Sequence, residues 1–230
     1  MRLQKVLTQP INVYFVTFLV TGVFILLFLI WSLYSQSQNI QQTVIEKSFS
    51  QAQEEFTNNF NASINHLTLE LKTLSEWDEV HQQLQDPSYY FFWHNERLKE
   101  SVLFKKNYEQ IELYNADKKR LIPIQTDASQ TLVELPPEIQ TLEPKVIILS
   151  ATEAHLILFQ TVLDREDQQI IGYIGASIDL LSFLIQNNDF TYVNKSTIQF
   201  SKLGEVSLKT ALSYIHYEPV ANQQQIIYGA

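Results

Sequence analysis

The chain contains no cysteine, one methionine and only five glycines in 230 residues. Without cysteine there is no disulfide framework, no thiol nucleophile and no thiolate metal site. Cations are scarce as well: 16 Lys and Arg against 25 Asp and Glu leave a formal net charge of −9, which excludes the basic face that a nucleic-acid binder needs. Gly172 and Gly175 form a lone Gly-x-x-Gly inside a strand-like run, not the strand, turn and helix of a phosphate cradle. Their role is to let a neighbouring backbone or ligand approach closely, or to permit a bulge. No Gly-x-Ser-x-Gly is present, and the five histidines, His66, His81, His94, His155 and His216, are too scattered for a His-rich metal site. The sequence therefore predicts neither an enzyme nor a cofactor. At 45% hydrophobic and 12% aromatic it is also neither disordered nor collagen-like.

Charge is missing entirely between Lys5 and Glu46, and within that gap Ile11 to Tyr34 is almost purely apolar. At 1.5 Å per residue this run reaches about 36 Å, against a hydrocarbon core of about 30 Å, so the sequence predicts one tilted membrane helix. Trp31 and Tyr34 stand where an interfacial aromatic belt sits, and Pro10 marks the entrance. A cleaved signal has an apolar stretch of only about 7 to 15 residues ending in small side chains, which Trp31-Ser32-Leu33-Tyr34 is not. Arg2 and Lys5 are the flanking charges, so the positive-inside rule predicts a cytoplasmic tail at 1–10 and everything after Tyr34 outside, in a bacterial periplasm or at a cell surface. The residues from 35 onward carry 14 Lys and Arg and 25 Asp and Glu, a net of −11.

Beyond Ser35, Ile40, Val44, Phe49, Ala52, Phe56, Phe60, Ile64, Leu67, Leu71, Leu74 and Asp78 follow at steps of three to five, with no Gly or Pro before Pro87. This is helical periodicity over about 40 residues. So long a helix is not buried along its whole length by one small domain, and we expect a stem at 35–75 whose first half pairs with a second copy in a homodimer. A domain at 76–230 follows.

After Asp86-Pro87-Ser88 come Tyr89 to Trp93 and a short amphipathic stretch, Asn95 to Phe104. Gln110 to Tyr114 and Arg120 to Gln125 read as a hairpin around Asn115-Ala116-Asp117, and Pro136-Pro137-Glu138 as a short helix or turn. Lys145 to Leu149, Leu156 to Val162 and Gln169 to Ile178 read as strands, the last two joined by Asp164-Arg165-Glu166-Asp167. Asp179 is placed to cap a short helix through Ile185. Phe190 to Val193 and Thr197 to Ser201 are strand-like, and Val206 to Ile215 and an extended Gln225 to Tyr228 complete the chain. Helix first, then an antiparallel meander with short helices, predicts an α+β class.

An uncharged anchor, an outward helix ending in Leu74-Ser75-Glu76-Trp77-Asp78-Glu79-Val80-His81, the Asp86-Pro87 break and Asn95 resemble the fourth CHASE-type extracellular sensing family. So do the Ile111 to Asp117 strand and turn, and Ile170 to Ser177 running into a helix at Asp179. The resemblance spans roughly Ile40 to Leu184 and implies a PAS-like or Cache-like antiparallel sheet with flanking helices that binds a small molecule. It further implies the sensory portion of a receptor whose cytoplasmic output, a diguanylate cyclase, phosphodiesterase or histidine kinase, lies past Ala230. The turn at Asp117-Lys118-Lys119 departs from the pattern in having no glycine.

Aromatic walls with a few fixed polar groups are what small-ligand pockets use, which makes Trp77, Asp78, His81, Tyr89, Trp93 and Asn95 the candidate binding residues, with Tyr90 beside them. Asp78 and His81, one helical turn apart, also have the spacing of two metal ligands, but two residues make no site. A rival expectation comes from another class. A short tail, one membrane helix, a helical stem and a small α+β domain also resemble the inner-membrane alignment scaffolds of type IV pili and type II secretion. For those the expected sheet is four-stranded and ferredoxin-like, whereas a sensor calls for five antiparallel strands with a concave pocket.

Overall fold

A computed structural model describes residues 11–101, 107–121 and 134–220. The chain divides into two compact units, Met1–Ser50 and Gln51–Ala230. The boundary falls inside a helix, α1 (Ile11–Ser75), rather than at its end. The expected cytoplasmic tail at 1–10 lies outside the described residues.

In the first unit the apolar side chains from Val13 to Tyr34 are exposed, and the most apolar stretch of the helix has none of its residues buried. The helix is long and apolar enough to cross a membrane. The two threonines of its apolar stretch leave no hydroxyl unpaired: Thr17 donates to the Val13 carbonyl at 2.7 Å and Thr21 to the Thr17 carbonyl at 2.8 Å. A helix in hydrocarbon has to satisfy its polar groups internally in this way.

In the second unit α1 contributes Ala52, Phe56, Phe60, Ile64, Leu67, Leu71 and Leu74, spaced by three or four and all buried in the main core. Each large side chain of this stripe contributes about 1.5–3 kcal/mol of burial. The periodic stripe read from the sequence thus splits in two: Ala52 to Leu74 is covered, whereas Ile40, Val44 and Phe49 are exposed.

The sheet has five antiparallel strands in the order β1-β4-β3-β2-β6: β1 (Gln110–Asn115), β2 (Lys145–Ser150), β3 (Glu153–Leu163), β4 (Ile170–Asp179) and β6 (Gly204–Ser207). Register sorts the side chains. Ile111, Leu113, Ile174, Ala176, Ile178, Leu156, Leu158, Val146 and Ile148 share one face and join the α1 stripe in the core. Glu112, Tyr114, Tyr173, Phe159, Ser177 and His155 share the other. There Tyr114 and Tyr173 pack with Ile139, and Tyr114 donates to the Pro136 carbonyl at 2.8 Å, so the 134–139 segment covers that face.

Two short α-helices follow α1: α2 (Asp78–Gln85) and, after a 3-10 turn at Pro87–Tyr89, α3 (Tyr90–Phe92), which continues into a π-helical turn at Trp93–Leu98. Helix α4 (Leu180–Asn187) is capped by Asp179, whose carboxylate accepts from the Ser182 amide at 3.0 Å, in keeping with the sequence reading. The Asn115 turn closes without glycine because Lys118 itself adopts φ 65°. Only the start of the expected second hairpin strand is described, as a single bridge between Tyr114 and Arg120; 122–125 and Gln225 to Tyr228 lie outside the described residues.

Two local expectations are corrected, and a third segment, given no type by the sequence, is resolved. Pro136-Pro137-Glu138 forms no helix but a bend with one bridge from Glu138 to Lys119. Phe190 to Val193 is not a strand, because its amides turn to a side chain on α1 instead of to a neighbouring strand. Val206 to Ile215 is divided: β6 stops at Ser207, which accepts from the Thr210 amide and starts the short helix α5 (Leu208–Ala211). β5 (Gln199–Phe200) and β7 (Ile215–His216) pair in a separate two-stranded sheet.

Gly172 shows why the Gly-x-x-Gly is there. A Cβ on it would lie 2.4 Å from the Tyr114 carbonyl oxygen and 2.6 Å from Leu84. A neighbouring backbone occupies the space, next to a register shift between Val162 and Leu163. Gly172→Ala is expected to destabilise the fold by about 1–3 kcal/mol, measurable by urea unfolding, since a backbone oxygen yields less readily than a side-chain tip.

Candidate functional site

The junction of α1 and α2 forms a recess. Glu76 and Trp77 break the helix, and Trp77 enters α2 with extended backbone (φ −68°, ψ 135°). An open cleft of about 530 Å³ lies here, lined by Glu76, Trp77, Asp78, Glu79, Arg97 and Ser101. Its charges are organised: Arg97 pairs with Glu79, Trp93 donates its indole N–H to Glu79 at 2.9 Å, and Arg165, from the β3–β4 turn, reaches both Asp78 and the Glu76 carbonyl. One aromatic wall, three carboxylates and a guanidinium suit a small ligand carrying both polar and apolar parts.

The structure brings Trp77 and Asp78, of the six candidate residues, into this cleft. Trp93 stands behind it, buried and holding Glu79. His81 does not pair with Asp78; its ring bonds the Ser75 carbonyl at 3.0 Å and so fastens α2 to the end of α1. Tyr89 is exposed on the 3-10 turn, and Asn95 is half-buried in the π-helical turn, neither among the cleft's lining residues. Among the described residues no group of three or more His, Asp or Glu is arranged for a metal ion.

Sequence reasoning missed a second polar group. Glu112, on β1, is only 3% exposed. It accepts from the Tyr90 hydroxyl at 2.8 Å and from the Gln110 amide at 3.1 Å, and His94 lies 3.4 Å away. The free edge of β1 is closed by the same side chains: the Leu113 amide donates to the Tyr90 hydroxyl at 3.1 Å, and His94 donates to the Ile111 carbonyl at 3.0 Å. Burial raises the Glu112 carboxyl, but the bonds from His94, Gln110 and Tyr90 outweigh it and leave the group below its ordinary value. Burial, with the Glu112 charge second, pushes the Tyr90 hydroxyl well above its ordinary range. The signal that marks Glu112 in the sequence is a charged residue within the strand run Gln110 to Tyr114.

Arg97, Glu79 and Arg165 were missed for another reason. They are ordinary surface charges in sequence and gain significance only where the turns bring them together. No protein-family model and no curated protein matches this chain.

Proposed function

We propose that this chain is the ligand-sensing portion of a bacterial transmembrane receptor, non-enzymatic in itself, anchored by Ile11 to Tyr34 and holding a Cache-like domain outside the cell. The observation that carries this reading is the cleft at Trp77 and Asp78, built where the helix that bears the apolar span ends. An occupant touching Glu76 to Glu79 acts directly on that helix end and biases one of two arrangements, with a coupling of about 1–3 kcal/mol. The orientation rests on Arg2 and Lys5 ahead of the span. The five-stranded antiparallel sheet supports a sensor over the four-stranded pilus or secretion scaffold. The exposed Ile40, Val44 and Phe49 supply the face for a homodimeric stem. A cyclic-di-GMP enzyme or histidine kinase is the output such a sensor would drive.

The test is a small-molecule screen by thermal shift on the full chain in lipid nanodiscs. A saturable stabiliser is expected, and Trp77→Ala is expected to weaken its binding at least about tenfold while membrane insertion is unchanged. A screen without binders, or a binder indifferent to Trp77→Ala and to Asp78→Asn, removes the reading's basis.

A further inference from the structure

His155 lies at the start of β3, 3% exposed, in register with Asp179 at the end of β4. Its Nδ1 is 2.6 Å from a Glu109 carboxylate oxygen, and its Nε2 has no hydrogen-bond partner but sits 3.6 Å from the Glu153 carboxylate. Among the described residues, the charged groups that bear on the ring are carboxylates: Glu109 leading into β1, Glu153 on β3 and Asp179 on β4. The β2 residue opposite it is Ile147, which is uncharged. In the neutral ring Nδ1–H donates to Glu109 while the Nε2 lone pair points toward a second carboxylate. Protonation turns that nitrogen into a donor and sets one cation among three anions.

Glu109 also lines an open recess of about 160 Å³, with Asp179, Asn107 and Tyr108, which gives solvent protons access to the buried pair. The three residues 107 to 109 form a bracket. Asn107 donates to Glu70 of α1 at 2.9 Å, Tyr108 donates to the same carboxylate at 3.2 Å, and Glu109 ties to the sheet through His155 and through its amide, which donates to the Ser177 carbonyl at 2.9 Å.

We propose that His155 is a proton-binding site through which acidity on this domain's side of the membrane tightens the 107–109 bracket between the sheet and α1. The hydrogen bond that the ring donates to Glu109, opposed by burial and helped by the Glu109 charge, raises the imidazole above its ordinary value of 6.5. A group raised in the fold contributes stability that is complete below 6.5 and is lost as the pH rises through the raised value. The bracket is therefore tight in acid and loosens toward alkali.

The experiment is a carbon-13 histidine titration by NMR of the full chain in nanodiscs, with His155→Gln used to assign the resonance. His155 is expected to titrate above the ordinary 6.5, and Glu109→Gln is expected to lower its midpoint. Hydrogen exchange at the Glu109 amide, corrected for intrinsic chemistry, is expected to slow on acidification through the His155 midpoint in the wild type and not in His155→Gln. A His155 midpoint at or below 6.5, a midpoint unmoved by Glu109→Gln, or an amide whose corrected exchange ignores the titration each overturns the proposal.

Discussion

Glu112→Ala is expected to destabilise the folded part of the chain by about 3–5 kcal/mol, the cost of leaving the partners of a buried charge without it. Tyr90, Gln110 and His94 all turn toward this carboxylate, and Tyr90 and His94 also close the edge of β1. Removing the acid therefore frees the buried Tyr90 hydroxyl and the half-buried Gln110 amide. Glu112→Gln keeps the shape and one acceptor oxygen, so a loss of about 1–2 kcal/mol is expected from it. The pH dependence has a definite sign. A carboxyl lowered in the fold contributes stability above its ordinary 4.5 that is lost as the pH falls through the lowered value, so the wild-type advantage over Glu112→Gln is expected to shrink below 4.5. Urea unfolding in nanodiscs, followed by tyrosine and tryptophan fluorescence, measures both. A cost under about 1 kcal/mol for Glu112→Ala would show that the cluster is hydrated and structurally idle.

Glu55 carries the second large effect. Its carboxylate accepts from three consecutive amides, Thr191 at 2.6 Å, Tyr192 at 2.8 Å and Val193 at 3.1 Å. Three converging N–H groups form an anion-binding nest, and the anion is supplied by α1. Next to it Phe56 stacks on Tyr217 at 4.5 Å and on Phe190 at 5.9 Å, and Asn188 donates to Ser63 at 2.9 Å. The returning segment is held to the helix chiefly by this carboxylate and these rings. Glu55→Ala is expected to cost about 2–4 kcal/mol, discounted from three full charge-assisted bonds because the site is half-exposed and water replaces part of what is lost. Exchange at the amides of Thr191 to Val193 is expected to accelerate more than exchange in β3 and β4, because the lost restraint is local. Uniform acceleration would instead mean that the whole unit unfolds together.

Much of the architecture was legible because it is local. The gap in charge from Lys5 to Glu46 specifies an apolar helix without reference to anything else. Steps of three and four from Ala52 to Leu74 fix which side of α1 is buried, and β-branched or alternating residues in Lys145 to Leu149 and Gln169 to Ile178 identify the strands found at Lys145–Ser150 and Ile170–Asp179. Asp179 was readable as a cap because the acceptor and the amide it serves are three residues apart. Phe190 to Val193 was misread because a run with strand-like side chains says nothing about where its amides will find acceptors.

The candidate site was legible only in part for the same reason. Trp77 and Asp78 stand out as residue types, but the helical period runs unbroken to Asp78, so the break at Glu76 and Trp77 is not visible in the sequence. The residues that organise the pair come from elsewhere: Arg97 from the π-helical turn and Arg165 from the β3–β4 turn. By itself, then, the sequence determined the apolar span, the buried side of α1, the strand segments and the cap, since each depends on neighbours within a turn or a pleat. The tertiary structure alone decided that Glu55 serves 191–193, that Glu112 faces Tyr90 and His94, and that Glu109 meets His155. Those pairings join residues far apart in the chain, and no periodicity encodes a partner that only packing brings near.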